Sequence, residues 1–165
     1  MIQYFLPSDI EEIVERLKPF ISQFSGKTIV LSGGNGFLGR YFVEIFCKIN
    51  DSLVSDPLKL IVIDNLITSE QNKIDGIQSQ QIDFIKHDVI EEIDLQDKVD
   101  IVIHAAGIAS PYYYRIYPLE TLDVAITGTR RMLSLAKTAK AKMIFFSSSE
   151  IYGDPDPEKI PISED

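Results

Sequence analysis

The 165-residue chain has one cysteine, two histidines and no cluster of lysine or arginine. A lone Cys47 excludes an internal disulfide framework. Two histidines with one cysteine leave too few ligands for a structural zinc site, so no metal is expected. Acidic residues outnumber basic ones 25 to 16, for a net charge of −9. That balance argues against unaided binding to nucleic acid or to an anionic membrane surface, both of which need clustered positive charge. No apolar run approaches the length of a membrane span, and the N-terminal "MIQYFLPSDIEEI" lacks the basic region and apolar core of a signal peptide. These absences give the expectation of a cytoplasmic, metal-free globular protein. The length suits one domain with a substantial core.

What is present is a rhythm. Residues 8 to 24 read as an amphipathic helix, with Ser8 and Glu11 as a capping box and Ile10, Ile13, Val14, Leu17 and Ile21 on one face. Pro19 should weaken its second half. Residues 1–26 are therefore expected to form a helical extension ahead of a domain spanning 27–165. Short apolar runs then alternate with helical patterns: "KTIVLS", a helix over 37–49, "LKLIVID", "IDFIKHD", "VDIVIHAAG", a long helix over 119–139, and "AKMIFFSSS". Runs that are apolar throughout, rather than alternating, belong to strands buried on both faces. Alternation with helices implies right-handed crossovers and a parallel sheet, an α/β fold of the Rossmann-like, doubly wound kind. The polar segment 68–81 reads as a surface loop or frayed helix, and the tail "GDPDPEKIPISED" has no periodicity.

The stretch "SGGNGFLG" carries two overlapping glycine patterns, Gly34-x-Gly36-x-x-Gly39 and Gly33-x-x-Gly36-x-x-Gly39. Either puts glycine where a strand turns sharply into a helix, and aims the helix N-terminus at a pyrophosphate. Asp64, ending the next strand, stands where an acid would hold an adenosine ribose. No arginine follows it, so a 2′-phosphate would meet a carboxylate, which favours NAD over NADP.

With the glycines, "HDV" at 87–89, "HAAG" at 104–107, "ASPYYYRIYP" at 109–118 and "SSSEIYGDP" at 147–155 complete a set. In that order the chain resembles the extended short-chain dehydrogenase/reductases, the NAD-dependent epimerase/dehydratase family, and within it the UDP-glucuronate decarboxylases. The resemblance covers about residues 27–160 and implies a role for each matched position. Gly33, Gly36, Phe37, Leu38 and Gly39 would form the pyrophosphate turn. Asp64 and Asn65 would hold the ribose, Asp88 and Val89 would flank the adenine, and Ala105, Ala106 and Gly107 would line the nicotinamide side. Ser148 would hydrogen-bond the reacting sugar oxygen, Glu150 would be the acid beside the sugar, and Ser110, Pro111 and Tyr114 would belong to a substrate loop. His87 and His104 read as structural. Two positions depart from the family pattern, Ala125 where asparagine is usual and Ile108 where the decarboxylase loop has proline.

The resemblance implies a tyrosine base with a lysine four residues later, which would lower its pKa. No such pair occurs in this sequence; Tyr114 is followed by Pro118 and Tyr152 by Asp156. The chain is therefore expected to be the N-terminal part of a longer enzyme, short of the last strands and the substrate lobe and without turnover by itself. The expected partner is a nucleotide sugar, preferably a UDP-sugar, and the family implies a homodimer through helices including 119–139. The alternatives are a 4-epimerase, a 4,6-dehydratase, or a non-catalytic nucleotide-binding module.

Overall fold

A computed structural model describes residues 5–69, 72, 74, 77 and 81–164. Most of the polar segment 68–81, expected as a loop or frayed helix, lies outside the described residues. Five strands form one parallel sheet: β1 (Thr28–Ser32), β2 (Lys59–Asp64), β3 (Ile82–Lys86), β4 (Ile101–His104) and β5 (Lys142–Phe145). Their order is β3-β2-β1-β4-β5, the doubly wound arrangement the alternating pattern predicts. β1 is central, and Ile29, Val30 and Leu31 are fully buried. Continuous burial holds for β1, β2 and β4 but not for the two edge strands. β3 is partly exposed, and on β5 Ile144 and Phe145 are about half exposed, at 49% and 51%. The apolar run "KMIFF" therefore marks a strand whose own coverage differs from that of the centre.

The first helix, α1, is Pro7–Leu17 and continues as a 3-10 segment, Lys18–Gln23, beginning just before Pro19. Pro19 has the effect expected of it. The capping box does not form: Leu6 is the N-cap and Pro7 takes the first helical position, so Ser8 lies one residue inside the helix. The apolar face is as read, with Ile10, Val14 and Ile21 buried in one cluster with Val43, Phe46 and Ile49 of α2 (Phe37–Ser52). That cluster covers one face of the sheet.

Beyond β4, a short helix α3 (Pro111–Ile116) precedes a long crossover built from α4 (Pro118–Asp123), a π turn (Val124–Gly128) and α5 (Thr129–Ala139). The span matches the expected 119–139, but the π turn has no signature in the helical periodicity. From α5, Met132 and Ala136 pack with Val30, Ile61 and Val102 to build the core on the other face. Among the described residues no helix is long and apolar enough to cross a membrane.

The N-terminal end of the sheet is tied by charge. The Asp100 carboxylate accepts the Thr28 N–H at 3.1 Å and meets the Lys27 and Lys98 ammonium groups at 3.3 and 3.1 Å. The backbone hydrogen bond, with help from the two lysines, holds its pKa below the ordinary aspartate value. A carboxyl depressed in the folded state stabilises the fold above the unfolded pKa and loses that contribution as pH falls through the folded one. Asp100→Asn is expected to cost about 1 kcal/mol in urea unfolding at pH 7. The gap from wild type should close as pH drops below the ordinary aspartate value, and a gap that persists or widens in acid would contradict this.

Candidate functional site

The cleft lies outside the C-terminal ends of the strands, where β1 and β4 send their connections to opposite sides of the sheet. Open parallel sheets bind ligands at such a switch point. One wall starts at Gly33, whose N–H donates to Ile63 C=O at 2.8 Å. Its φ of +76° is a left-handed conformation, and a Cβ there would stand 2.7 Å from the Ala105 carbonyl and the Ala106 Cα. Gly36 is the N-cap of α2, extended, with no side-chain cap, so the first-turn N–H groups face the cleft side without an intrahelical partner. A Cβ at Gly39 would collide with the Gly33 carbonyl, which sets how closely α2 approaches the turn. Gly33 and Gly36 line the cleft, whereas Gly34 packs against Val62. Of the two overlapping patterns, the wider-spaced one shapes the site.

The opposite wall is a hydrogen-bonded relay. Asp64 accepts the Asn35 N–H on Oδ2 and the Leu66 N–H on Oδ1, both at 2.9 Å. Asn65 donates from Nδ2 to Asp88 Oδ2 at 2.8 Å and accepts the Ile67 N–H on Oδ1 at 3.0 Å. Asp88 Oδ1 accepts the Ile90 N–H at 3.2 Å. Each carboxylate oxygen keeps a lone pair, so both acids are fixed in place and still able to accept from a ligand. Val89 is buried and meets Gly128 so closely that a Cβ at Gly128 would stand 2.9 Å from its Cγ2. The floor is Ala105, Ala106 and Gly107, with the Ala105 N–H bonded to Ser32 C=O at 3.1 Å.

The structure thus gathers Gly33, Gly36, Asp64, Asn65, Asp88, Val89, Ala105, Ala106 and Gly107 into one cleft. Phe37 and Leu38 lie exposed on the first turn of α2, and Gly39 packs behind it. Ser110, Pro111 and Tyr114 sit at the start of α3, while Ser148 and Glu150 follow β5; none of these five lines the cleft. Ser148 Oγ accepts the Glu150 N–H at 3.2 Å. Sequence reasoning missed Glu120 and Val124, which reach the cleft from α4 and the π turn. Their spacing of one helical turn was the available signal. It also missed Asn35, whose backbone N–H fixes Asp64, although it sits inside the glycine pattern. His87, read as structural, lines the cleft, and its backbone N–H donates to Asp64 C=O at 3.1 Å. Ala125 is exposed on the π turn and outside the cleft lining.

The sequence profile of the NAD dependent epimerase/dehydratase family matches residues 29–165. The chain belongs to that family. It is 35% identical over 138 residues to UDP-glucuronic acid decarboxylase 1 of Danio rerio, covering 83% of this chain and 31% of the relative. The chain thus spans about a third of the length of the curated relatives it matches. Its fold is similar to that of an epimerase from Methanothermobacter thermautotrophicus (TM-score 0.71, 22% identity, 90% of this chain and 43% of that one). It is also similar to a UDP-glucose 4-epimerase from Bifidobacterium longum solved with NAD+ and UDP (TM-score 0.65, 25% identity, 84% and 41%).

Two groups with reactive side chains, Cys47 and His104, are placed for structure. Burial, reinforced by the Glu44 and Asp51 carboxylates, pushes the Cys47 thiol up to about 12, which leaves no thiolate to act as a nucleophile near neutral pH. His104 is buried between β1 and α5, with Nδ1 at 2.6 Å from Ser32 Oγ and Nε2 at 3.2 Å from Thr129 Oγ1. Its ring stacks on Phe145, and burial lowers its pKa. It bolts the strand ends beneath the cleft to the crossover helix. Because the folded chain resists protonating His104, the unfolded chain gains protons first as pH falls. The stability difference between wild type and His104→Gln should therefore be largest above the ordinary histidine value and shrink as pH drops from 7 to 5. Urea unfolding at several pH values reads it, and a difference that grows on acidification would contradict the assignment.

Proposed function

We propose that this chain is the NAD-binding portion of an enzyme that oxidises, decarboxylates and re-reduces a UDP-linked uronic acid. The observation that carries the reading is the convergence of Gly33, Gly36 and Asp64 on one cleft at the switch point. The residues fit the dinucleotide. The uncapped N-terminus of α2 offers N–H groups and positive dipole to a pyrophosphate. Asp64, already held by two backbone N–H groups, would accept from the ribose hydroxyls, and the Asn65–Asp88 pair would border the adenine. Ala105 and Ala106 leave the strand end open for a flat ring to approach. When bound, NAD+ would supply the hydride acceptor and, reduced, the hydride donor for such a reaction.

Ser148 would hold the reacting sugar oxygen: its own oxygen is engaged by the Glu150 N–H, which leaves its proton free to donate. Glu150 would be the acid beside the sugar. Decarboxylation is favoured over epimerisation because the 35% identical relative is a decarboxylase, whereas the structurally similar epimerases are 22% and 25% identical. No tyrosine in these 165 residues is followed four positions later by lysine, so the proton-abstracting pair would come from outside them. We also propose pairing of two copies through the crossover, where Leu119, Leu122, Ile126 and Leu133 are exposed.

Calorimetric titration of the 165-residue chain should show NAD+ binding more tightly than NADP+. Asp64→Asn should weaken NAD+ by about tenfold, because it places an N–H donor against a backbone N–H donor and removes a charge. Equal affinity for the two dinucleotides would contradict the reading. With UDP-glucuronate and NAD+ this chain should release no CO2, and turnover would refute the division of the active site. In light scattering the chain should be a dimer and Ile126→Glu a monomer; a monomeric wild type would remove the pairing proposal.

A further inference from the structure

We propose that residues 5–24 clamp the first turn of α2 in its ligand-holding form, with Tyr41 as the positioning residue that joins the two. The inference rests on the reading that this turn holds a pyrophosphate. The family match begins at residue 29, so residues 5–24 precede the matched span. Ile10, Val14 and Ile21 anchor the segment to the core. Tyr41 of α2 packs at the edge of that same cluster and carries polar and ring contacts from the segment to the head of the helix. The Tyr41 hydroxyl donates to Asp9 Oδ2 at 2.9 Å and accepts the Leu6 N–H at 3.3 Å. The Tyr41 ring meets Phe5 edge-on at 6.5 Å and Phe37 edge-on at 5.6 Å.

Phe37 directly follows Gly36 at the head of α2, and Tyr41 is one helical turn further on. Phe37 is 68% exposed, so the fold's interior does little to fix it, and the Tyr41 ring is its aromatic neighbour among the described residues. The turn before it is rich in glycine and loses much freedom on ordering. A turn held in place before the ligand arrives avoids that loss at binding, and affinity rises accordingly. Tyr41 is set to do this because its hydroxyl is saturated by groups of the N-terminal segment, while its ring rests on the turn.

The test uses the 165-residue chain with Tyr41→Phe, Asp9→Ala and both together. NAD+ titration, amide hydrogen exchange without ligand and thermal unfolding are read on each. Each single variant should weaken NAD+ about fivefold and speed exchange at residues 33–39 relative to 43–49, with the midpoint moving by about 2 °C or less. The double variant should be no weaker than the weaker single, because both break one link. Unchanged affinity and exchange would overturn the clamp. So would affinity, midpoint and exchange at every amide falling together, which is general destabilisation. If the wild type fails to bind NAD+, the cofactor reading fails, and exchange at 33–39 alone then decides the clamp.

Discussion

The start of α2 lies against the end of β1 at backbone contact. The Gly33 carbonyl occupies the space a side chain at position 39 would need, and Gly33 itself lies against the Ala105 and Ala106 backbone. Three consequences follow from that one close approach. The helix N-terminus opens directly over the strand ends. The Asn35 N–H comes within 2.9 Å of Asp64 and fixes the acid that closes the opposite wall. The β4 connection is pressed to the floor of the cleft at Ala105 and Ala106. The position of the cleft is therefore a property of the backbone, and the side chains around it adjust the chemistry.

The groups proposed to hold a dinucleotide and those proposed to act on a sugar differ in how completely this chain orders them. The first group includes the hydrogen-bonded Asp64 and the Asn65–Asp88 pair and is supported from beneath by His104, which ties β1, β4 and α5 together. Ser148 and Glu150 sit past β5, an edge strand with exposed Ile144 and Phe145. This asymmetry fits a chain that corresponds to 31% of its decarboxylase relative and 43% of a structurally similar epimerase. The proposed binding residues lie within one parallel unit, while the residues proposed for catalysis stand at its margin.

Much of this could be read from residue order. Strand cores such as "TIVLS" and "LIVID" are short, apolar and β-branched, and burial in the sheet centre leaves them no other use. Asp64 stood out because it ends the strand after the glycine turn, where an acid would hold an adenosine ribose. What escaped reading depends on contacts distant in sequence or on choices between near-equal local options. The Tyr41–Asp9 bond spans 32 residues. The helix begins at Pro7 rather than after Ser8, because proline fits the first helical position and displaces the expected capping box. The π turn at Val124–Gly128 sits where Gly128 packs on Val89 and Thr129 meets His104, and helical periodicity carries no trace of it. The partial exposure of β3 and β5 reflects their edge positions, which an apolar run does not encode.

The central claim is that the α2 N-terminus and Asp64 hold the two ends of one dinucleotide's ADP moiety. Amide NMR of the 165-residue chain titrated with NAD+ tests it most directly. The account predicts the largest shifts at Gly33, Gly36, Phe37 and Leu38, together with Asn35, Asn65 and Asp88, all saturating with one dissociation constant. Shifts absent from that set, or clustered along α5 and the 91–99 loop instead, would contradict it.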